Sequence, residues 1–156
     1  MSQLFRLSKV LAVALMLLAA VRVTLGAAQP PGVGWERVFG LPVAARLFDV
    51  EMVSDSLGWA VGDEGVILRY NGAGWQAVPS PTPFRLYGMA LTTPTDGWAV
   101  GDYGTVLRLS GGQWSVWPQR IPDANLFAVA MPRPDLGWAV GRAGTILTFD
   151  GSRWEQ

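Results

Sequence analysis

The side chains of this 156-residue chain that could do chemistry are few, because it contains no histidine and no cysteine. Imidazole acid–base catalysis, thiol nucleophiles, disulfides and thiolate or imidazole metal sites are therefore excluded. Carboxylates, guanidinium groups and aromatic faces remain. Arg69 and Arg108 stand at matching places, where a third equivalent is Thr148. A guanidinium grips a carboxylate through two parallel hydrogen bonds, so such a pair would suit an anionic substrate. Neither arginine has an identifiable nucleophile beside it, and the bland reading is solvated ion pairs or ion pairs between repeats. Asp55, Asp96 and Asp135 lie at different offsets from the Gly-Trp pairs that follow them. That suits turns better than calcium, which takes about six to eight oxygens. No metal and no cofactor is expected.

Contact chemistry has better candidates. The pairs Asp63-Glu64, Asp102-Tyr103 and Arg142-Ala143 fill one repeated position with changing charge. Scaffold positions repeat and ligand positions vary, so these pairs are candidate contact residues, together with Glu51, Arg85 and Arg133. Trp117 joins them as the one tryptophan outside the pattern described next.

The elements that must position these residues are written in a repeat. Gly-Trp-Ala-Val-Gly occurs at Gly58–Gly62, Gly97–Gly101 and Gly137–Gly141, with starts 39 and 40 residues apart. A period of that length marks stacked supersecondary units. Leu47–Val50, Leu86–Met89 and Leu126–Val129 precede the phrase. Short turns, apolar runs and a second tryptophan (Trp75, Trp114 or Trp154) follow it, and Trp35 is a further copy of that last feature. The runs are β-branched or aromatic and bounded by glycine, which predicts strands. For the first repeat these are 47–53, 58–62, 66–70 and 75–78, with Gly62 to Gly65 supplying the positive φ of a tight hairpin. In the first strand Phe48, Val50 and Met52 would share one face, and Asp49 and Glu51 the other. Four short strands per 40 residues match a β-propeller blade.

These phrases, with x-x-Gly-Thr-Val/Ile-Leu and Asp/Asn-Gly-x-x-Trp after them, resemble the bacterial propeller repeats of the neuraminidase-repeat (Asp-box) superfamily. They are similar to its photosystem II assembly-factor branch. The resemblance runs from Gly34 to Gln156 and implies an all-β propeller. The Asp-box hairpins are degenerate here, and only Phe149-Asp150-Gly151-Ser152-Arg153-Trp154 keeps an Asp-Gly pair. That departure argues against carrying the assembly function over. The expected blades are 47–78, 86–117 and 126–156, with an extra outer strand at 34–39. Trp59, Trp98 and Trp138 are expected to fill the space between blades, and Trp75, Trp114 and Trp154 to be structural but partly exposed near the outer hairpins.

Residues 1–28 read as an export signal. Arg6 and Lys9 precede an apolar stretch from Val10 to Val21, and Gly26-Ala27-Ala28 offers a cleavage site. Left uncleaved, residues 10–28 would anchor the chain in a membrane. Either way the propeller lies outside the cytoplasm, periplasmic or extracellular, after a linker at 29–33. The remainder carries nine arginines against twelve acidic residues, a net of −3, and no lysine. It offers no basic stripe for nucleic acid. Three blades fall short of the roughly four to eight of a closed ring. The expectation is the front part of a longer propeller, the alternative a ring closed by several copies. In function the expectation is an exported, non-enzymatic scaffold for a protein partner. A glycan-binding lectin is the alternative, and a sialidase-type glycosidase lacking its catalytic part is a weaker one.

Overall fold

The computed structural model describes residues 41–119 and 124–156, all within one compact unit, Val38–Gln156. The expected signal (1–28), linker (29–33) and outer strand (34–39, with Trp35) lie outside the described residues. Among those described, no helix is long and apolar enough to cross a membrane.

Three four-stranded antiparallel sheets make three propeller blades, each in plain sequential order. Blade 1 is β1 (Leu47–Ser54), β2 (Leu57–Gly62), β3 (Ile67–Tyr70) and β4 (Trp75–Val78). Blade 2 is β5 (Leu86–Thr93), β6 (Asp96–Gly101), β7 (Val106–Ser110) and β8 (Gln113–Val116). Blade 3 is β9 (Leu126–Arg133), β10 (Leu136–Gly141), β11 (Ile146–Phe149) and β12 (Trp154–Glu155). The strands of blade 1 fall within one residue of the spans that the sequence predicts. We call the end where β1, β5 and β9 begin the upper end; the β2–β3 turn and the links between blades share it.

Two details of the repeat have a steric cause. The last residue of each Gly-Trp-Ala-Val-Gly is packed against backbone too tightly to hold a side chain, while the first lies against Met52 in blade 1, the Ala90 carbonyl in blade 2 and Met131 in blade 3. A Cβ on Gly62, Gly101 or Gly141 would collide with the carbonyl of Arg46, Arg85 or Asn125 in its own blade. Gly62 is itself extended (φ −164°), so it does not supply the positive φ expected of it. Glu64 (φ 56°) and Gly65 (φ 72°) do. In the outer hairpins, Asn71 Oδ1 accepts the N–H groups of Ala73 and Gly74, and Asp150 Oδ1 those of Ser152 and Arg153. The remnants of the Asp-box are thus turn caps.

Alternation along β6 decides the packing. Trp98 and Val100 join Leu147, Phe149 and Trp154 of blade 3 in one core, while Ala99 turns back to Trp59, Val61 and Ile67 of blade 1 in the other. The inner tryptophans of blades 1 and 2 meet the outer tryptophan of the next blade edge to face: Trp59 on Trp114 at 5.7 Å and 84°, Trp98 on Trp154 at 5.4 Å and 88°. Trp154 is therefore buried, not partly exposed as the sequence suggests, because it lies between blades and not at the rim. Arg108 sits 4.8 Å over the Trp98 ring and Arg69 5.7 Å over Trp59, their cross-strand neighbours. Arg108 also bonds the Gly97 carbonyl at 3.0 Å and lies 3.7 Å from Asp96. These arginines bind within their own blades, by cation–π contact, instead of linking repeats.

Trp138, at the same place in blade 3, has no following blade among the described residues and is 40% exposed, against 1% for Trp98. Trp98→Ala should cost about 3–5 kcal/mol of stability, as emptying a packed aromatic site does. Trp138→Ala should cost well under half of that in the same urea denaturation. Equal losses would contradict the interblade role.

Candidate functional site

The upper end between blades 1 and 2 gathers most of the candidate contact residues. Each β2–β3-type turn is a single 3₁₀ turn whose middle residue is left-handed although it is not glycine: Glu64, Tyr103 and Ala143, at φ 56°, 55° and 57°. The backbone holds this shape through the Asp63 N–H on Arg46, the Asp102 N–H on Arg85 and the Arg142 N–H on Asn125. The middle side chain is left pointing outward, free to vary.

Asp63 is the electrostatic centre. Its Oδ2 accepts Arg46 Nε at 2.7 Å and its Oδ1 accepts Arg85 Nε at 2.5 Å, so one carboxylate ties two blades. Those two arginines, Arg46 first, hold its carboxyl below the ordinary range. Arg85 also donates to the Tyr87 hydroxyl at 3.2 Å, and that bond, with Asp63, raises its pKa further. Below the arginines runs an aromatic row from the three innermost strands. Phe48 meets Tyr87 at 5.3 Å and Tyr87 meets Phe127 at 5.5 Å. Arg85 lies within 5.8 Å of both Phe48 and Tyr87.

Two clefts open beside this cluster and share Pro83 and Phe84 as a wall. One, of ≈ 320 Å³, is lined by Arg46, Asp63, Glu64, Arg85 and Asp102. The other, of ≈ 440 Å³, is lined by Thr82, Tyr103, Thr105, Val116, Trp117 and Gln119 among others. On the wall between them Phe84 meets Tyr103 edge to face at 5.2 Å, and both are exposed, 45% and 65%. The arrangement offers paired guanidinium groups, carboxylates and an exposed aromatic ledge.

The structure thus brings Asp63, Glu64, Arg85, Asp102 and Tyr103 together. Trp117 lines the second cleft from behind, but its ring packs on Trp98 at 4.8 Å and Phe149 at 6.0 Å. Its indole N–H donates to Gln119, which also bonds both backbone groups of Trp154. Arg142 stands apart, at the upper end of blade 3. Arg133 lies at the lower end, in the β9–β10 turn, paired with Asp135 at 3.2 Å. Glu51 is not at the rim: its carboxylate accepts the Leu91 N–H at 2.8 Å, and Asp49 accepts that of Met89 at 2.8 Å. Burial, first of all, pushes the Glu51 carboxyl above its usual value. Arg46 and Phe84 are contributors that the sequence reading did not single out. The shared repeat place of Arg46 and Arg85, just before the innermost strand, was the available signal.

No protein-family model matches the chain, and no curated protein matches it. Solved structures do. "YCF48 bound to D1 peptide" superposes with a TM-score of 0.62 at 21% identity, covering 74% of this chain and 40% of that one. "YCF48 from Cyanidioschyzon merolae" does so with a TM-score of 0.59 at 21% identity, covering 74% and 41%. At such identity the likeness shows the fold, a β-propeller. The chain spans about 40% of the length of these neighbours.

The two buried-side carboxylates should respond to pH with opposite signs. Asp63, depressed, stabilises the fold above its ordinary value of 3.8, and that support is lost as pH falls through its lower folded value. Glu51, raised above 4.5, carries a penalty while ionised that is relieved as pH falls through its folded value. Asp63→Asn should therefore destabilise at pH 7. Glu51→Gln, which keeps an acceptor for the Leu91 N–H, should leave the chain as stable or more so. Urea midpoints at pH 7 and at about pH 2–3, below the ordinary carboxylate range, check both, and a Glu51→Gln loss at pH 7 equal to that of Asp63→Asn would contradict the assignment.

Proposed function

We propose that this chain is an exported, non-enzymatic scaffold that binds a segment of a partner protein across the upper rim of blades 1 and 2. The observation that carries the reading is the exposed Phe84–Tyr103 pair set between a charged cleft and a more apolar one. Exposed aromatic side chains beside preset polar groups are the usual anchors of protein recognition. The Arg46–Asp63–Arg85 cluster is held in place before any ligand arrives, which limits the ordering cost of binding. A solved neighbour of the same fold holds a D1 peptide, which supports a peptide as the ligand class. Export rests on the basic and apolar pattern of residues 1–28. The absence of histidine and cysteine supports a role without catalysis.

A peptide segment fits these clefts better than a sugar. Of the repeated tryptophans that would offer stacking platforms, Trp59, Trp98, Trp114 and Trp154 are engaged between blades, and Phe84 and Tyr103 meet edge-on. Peptides selected from a random display library on the full chain test the reading. Tyr103→Ala should weaken the selected peptides about tenfold or more, as loss of an aromatic anchor does. Arg133→Ala, at the far end, should leave binding unchanged. Equal binding by both variants, or hits on a glycan array with none from the peptide library, would overturn it. Turnover of a fluorogenic sialoside would contradict the non-enzymatic part.

A further inference from the structure

The upper rim repeats its backbone from blade to blade but not its charges. In blade 1 the carboxylate that opens the β2–β3 turn, Asp63, is clamped from two sides. Arg46, just before its own innermost strand, holds it at 2.7 Å, and Arg85, just before that of the next blade, at 2.5 Å. Asp102 has the same place in blade 2 and the same backbone setting. Its N–H donates to the Arg85 carbonyl at 3.0 Å, as that of Asp63 does to the Arg46 carbonyl at 2.9 Å. The residues placed to clamp Asp102 are therefore Arg85 and Asn125. Arg85 is already engaged with Asp63 and with the Tyr87 hydroxyl. Asn125 carries no charge, and its Oδ1 accepts the Tyr103 N–H at 3.2 Å. Among the described residues neither Asp102 nor its neighbour across the cleft, Glu64, has an ion-pair partner. Glu64 is exposed and Asp102 half-buried, so water solvates both carboxylates in the free chain.

We infer, on the reading of this rim as a peptide site, that the partner segment supplies the missing cation. It brings an arginine or lysine side chain into the cleft that Glu64 and Asp102 line, against the exposed Phe84 ring that walls it. Charge complementarity sets the choice. That cleft is lined by three carboxylates and two guanidinium groups. Both guanidinium groups are turned to Asp63 and lie over the Phe48 ring, at 5.9 Å for Arg46 and 5.7 Å for Arg85. The charge left for a ligand is therefore negative, and an acidic segment would meet Glu64 and Asp102 as like charges. Arginine suits the place better than lysine. Its planar fork takes a carboxylate through two parallel hydrogen bonds while its face lies on an aromatic ring. The chain makes the same combination itself at Arg85, which pairs with Asp63 while lying over Phe48 and Tyr87. The ligand's side chain would repeat that arrangement one blade further on, with Asp102 as the carboxylate and Phe84 as the ring.

Peptides selected on the full chain from a random display library, with affinities read by fluorescence anisotropy, test this. The selected peptides should be enriched in arginine or lysine. They should bind Asp102→Asn about tenfold more weakly, as loss of a charged hydrogen-bond partner does. Their affinity should fall as salt rises from about 0.05 M to about 0.5 M. Asp102 holds its turn through backbone groups alone, so Asp102→Asn should keep the circular dichroism of the parent chain. Charge reversal gives a second measurement. Asp102→Arg puts at this place the residue that Arg142 already supplies in blade 3. It should bind a peptide whose basic residue is replaced by glutamate more tightly than the parent chain does. Peptides that need Tyr103 but carry no basic residue, or that bind Asp102→Asn undiminished, overturn the cation site and leave the peptide rim standing. Selected peptides rich in aspartate or glutamate overturn it as well, and assign the ligand to Arg46 and Arg85. A library that yields nothing dependent on Tyr103 overturns the rim site itself, and the cation site with it.

Discussion

Everything in this structure depends on one contact, the edge-to-face meeting of an inner tryptophan with the outer tryptophan of the next blade. Trp59 on Trp114 and Trp98 on Trp154 place two large rings at nearly a right angle, where the positive edge of one meets the negative face of the other. Large area burial and a favoured geometry coincide there, so the pair sets both the distance and the angle between sheets. The glycines on either side of the inner tryptophan follow from it. With a ring of that size buried on one face, the strand must lie tight against its own blade's innermost strand. A Cβ at Gly97 would strike the Ala90 carbonyl region and Leu91, and one at Gly101 would strike Arg85. The arginine across the strand completes the site by covering the remaining ring face.

The two interfaces share that plan but close differently at the axis. Between blades 1 and 2, Asp49 and Glu51 reach across and accept the Met89 and Leu91 N–H groups of the free edge of β5. Between blades 2 and 3 the matching residues are Gly88 and Ala90, too short to reach. There the strands close on each other instead: a Cβ at Gly88 would lie 3.0 Å from Ala128 Cα. One junction satisfies an exposed strand edge with side-chain acceptors, and the other narrows it by contact. The polar solution carries a desolvation penalty, seen in the raised Glu51 carboxyl. It also ties the wider junction, the one below the rim clefts.

How legible this was from sequence divides along the same line. The blade order, the strand spans and the interblade place of Trp59 and Trp98 follow from repetition, because a residue present in every unit answers to a constraint present in every unit. Trp154 was misplaced for a related reason: the sequence puts it on an outer strand, and only packing shows that outer strands tuck behind the preceding blade. The rim was half legible. Changing charge at positions 63, 102 and 142 pointed to it, but the partner arginines come from the ends of other strands. Phe84 and Tyr103 lie 19 positions apart and touch only because the link between blades folds over the next turn. Arg133 falls at the opposite end of its blade, because its charge and its place in a turn do not determine which end that turn occupies.

Variation without loss of scaffold is possible at the rim because the turn separates shape from side chain. Glu64, Tyr103 and Ala143 share one left-handed conformation despite having nothing chemically in common. A non-glycine residue there is held at a cost of about 1 kcal/mol or more, so the surrounding bonds must over-determine it. They do: the residue before each donates its N–H to the start of the innermost strand, and a following N–H returns to close the turn. Since those bonds are all backbone, the middle side chain takes no part in holding the turn's shape. An acid, an aromatic ring and a methyl group can therefore occupy equivalent places on adjacent blades. The fold displays a different chemistry at each blade while the tryptophans beneath stay the same.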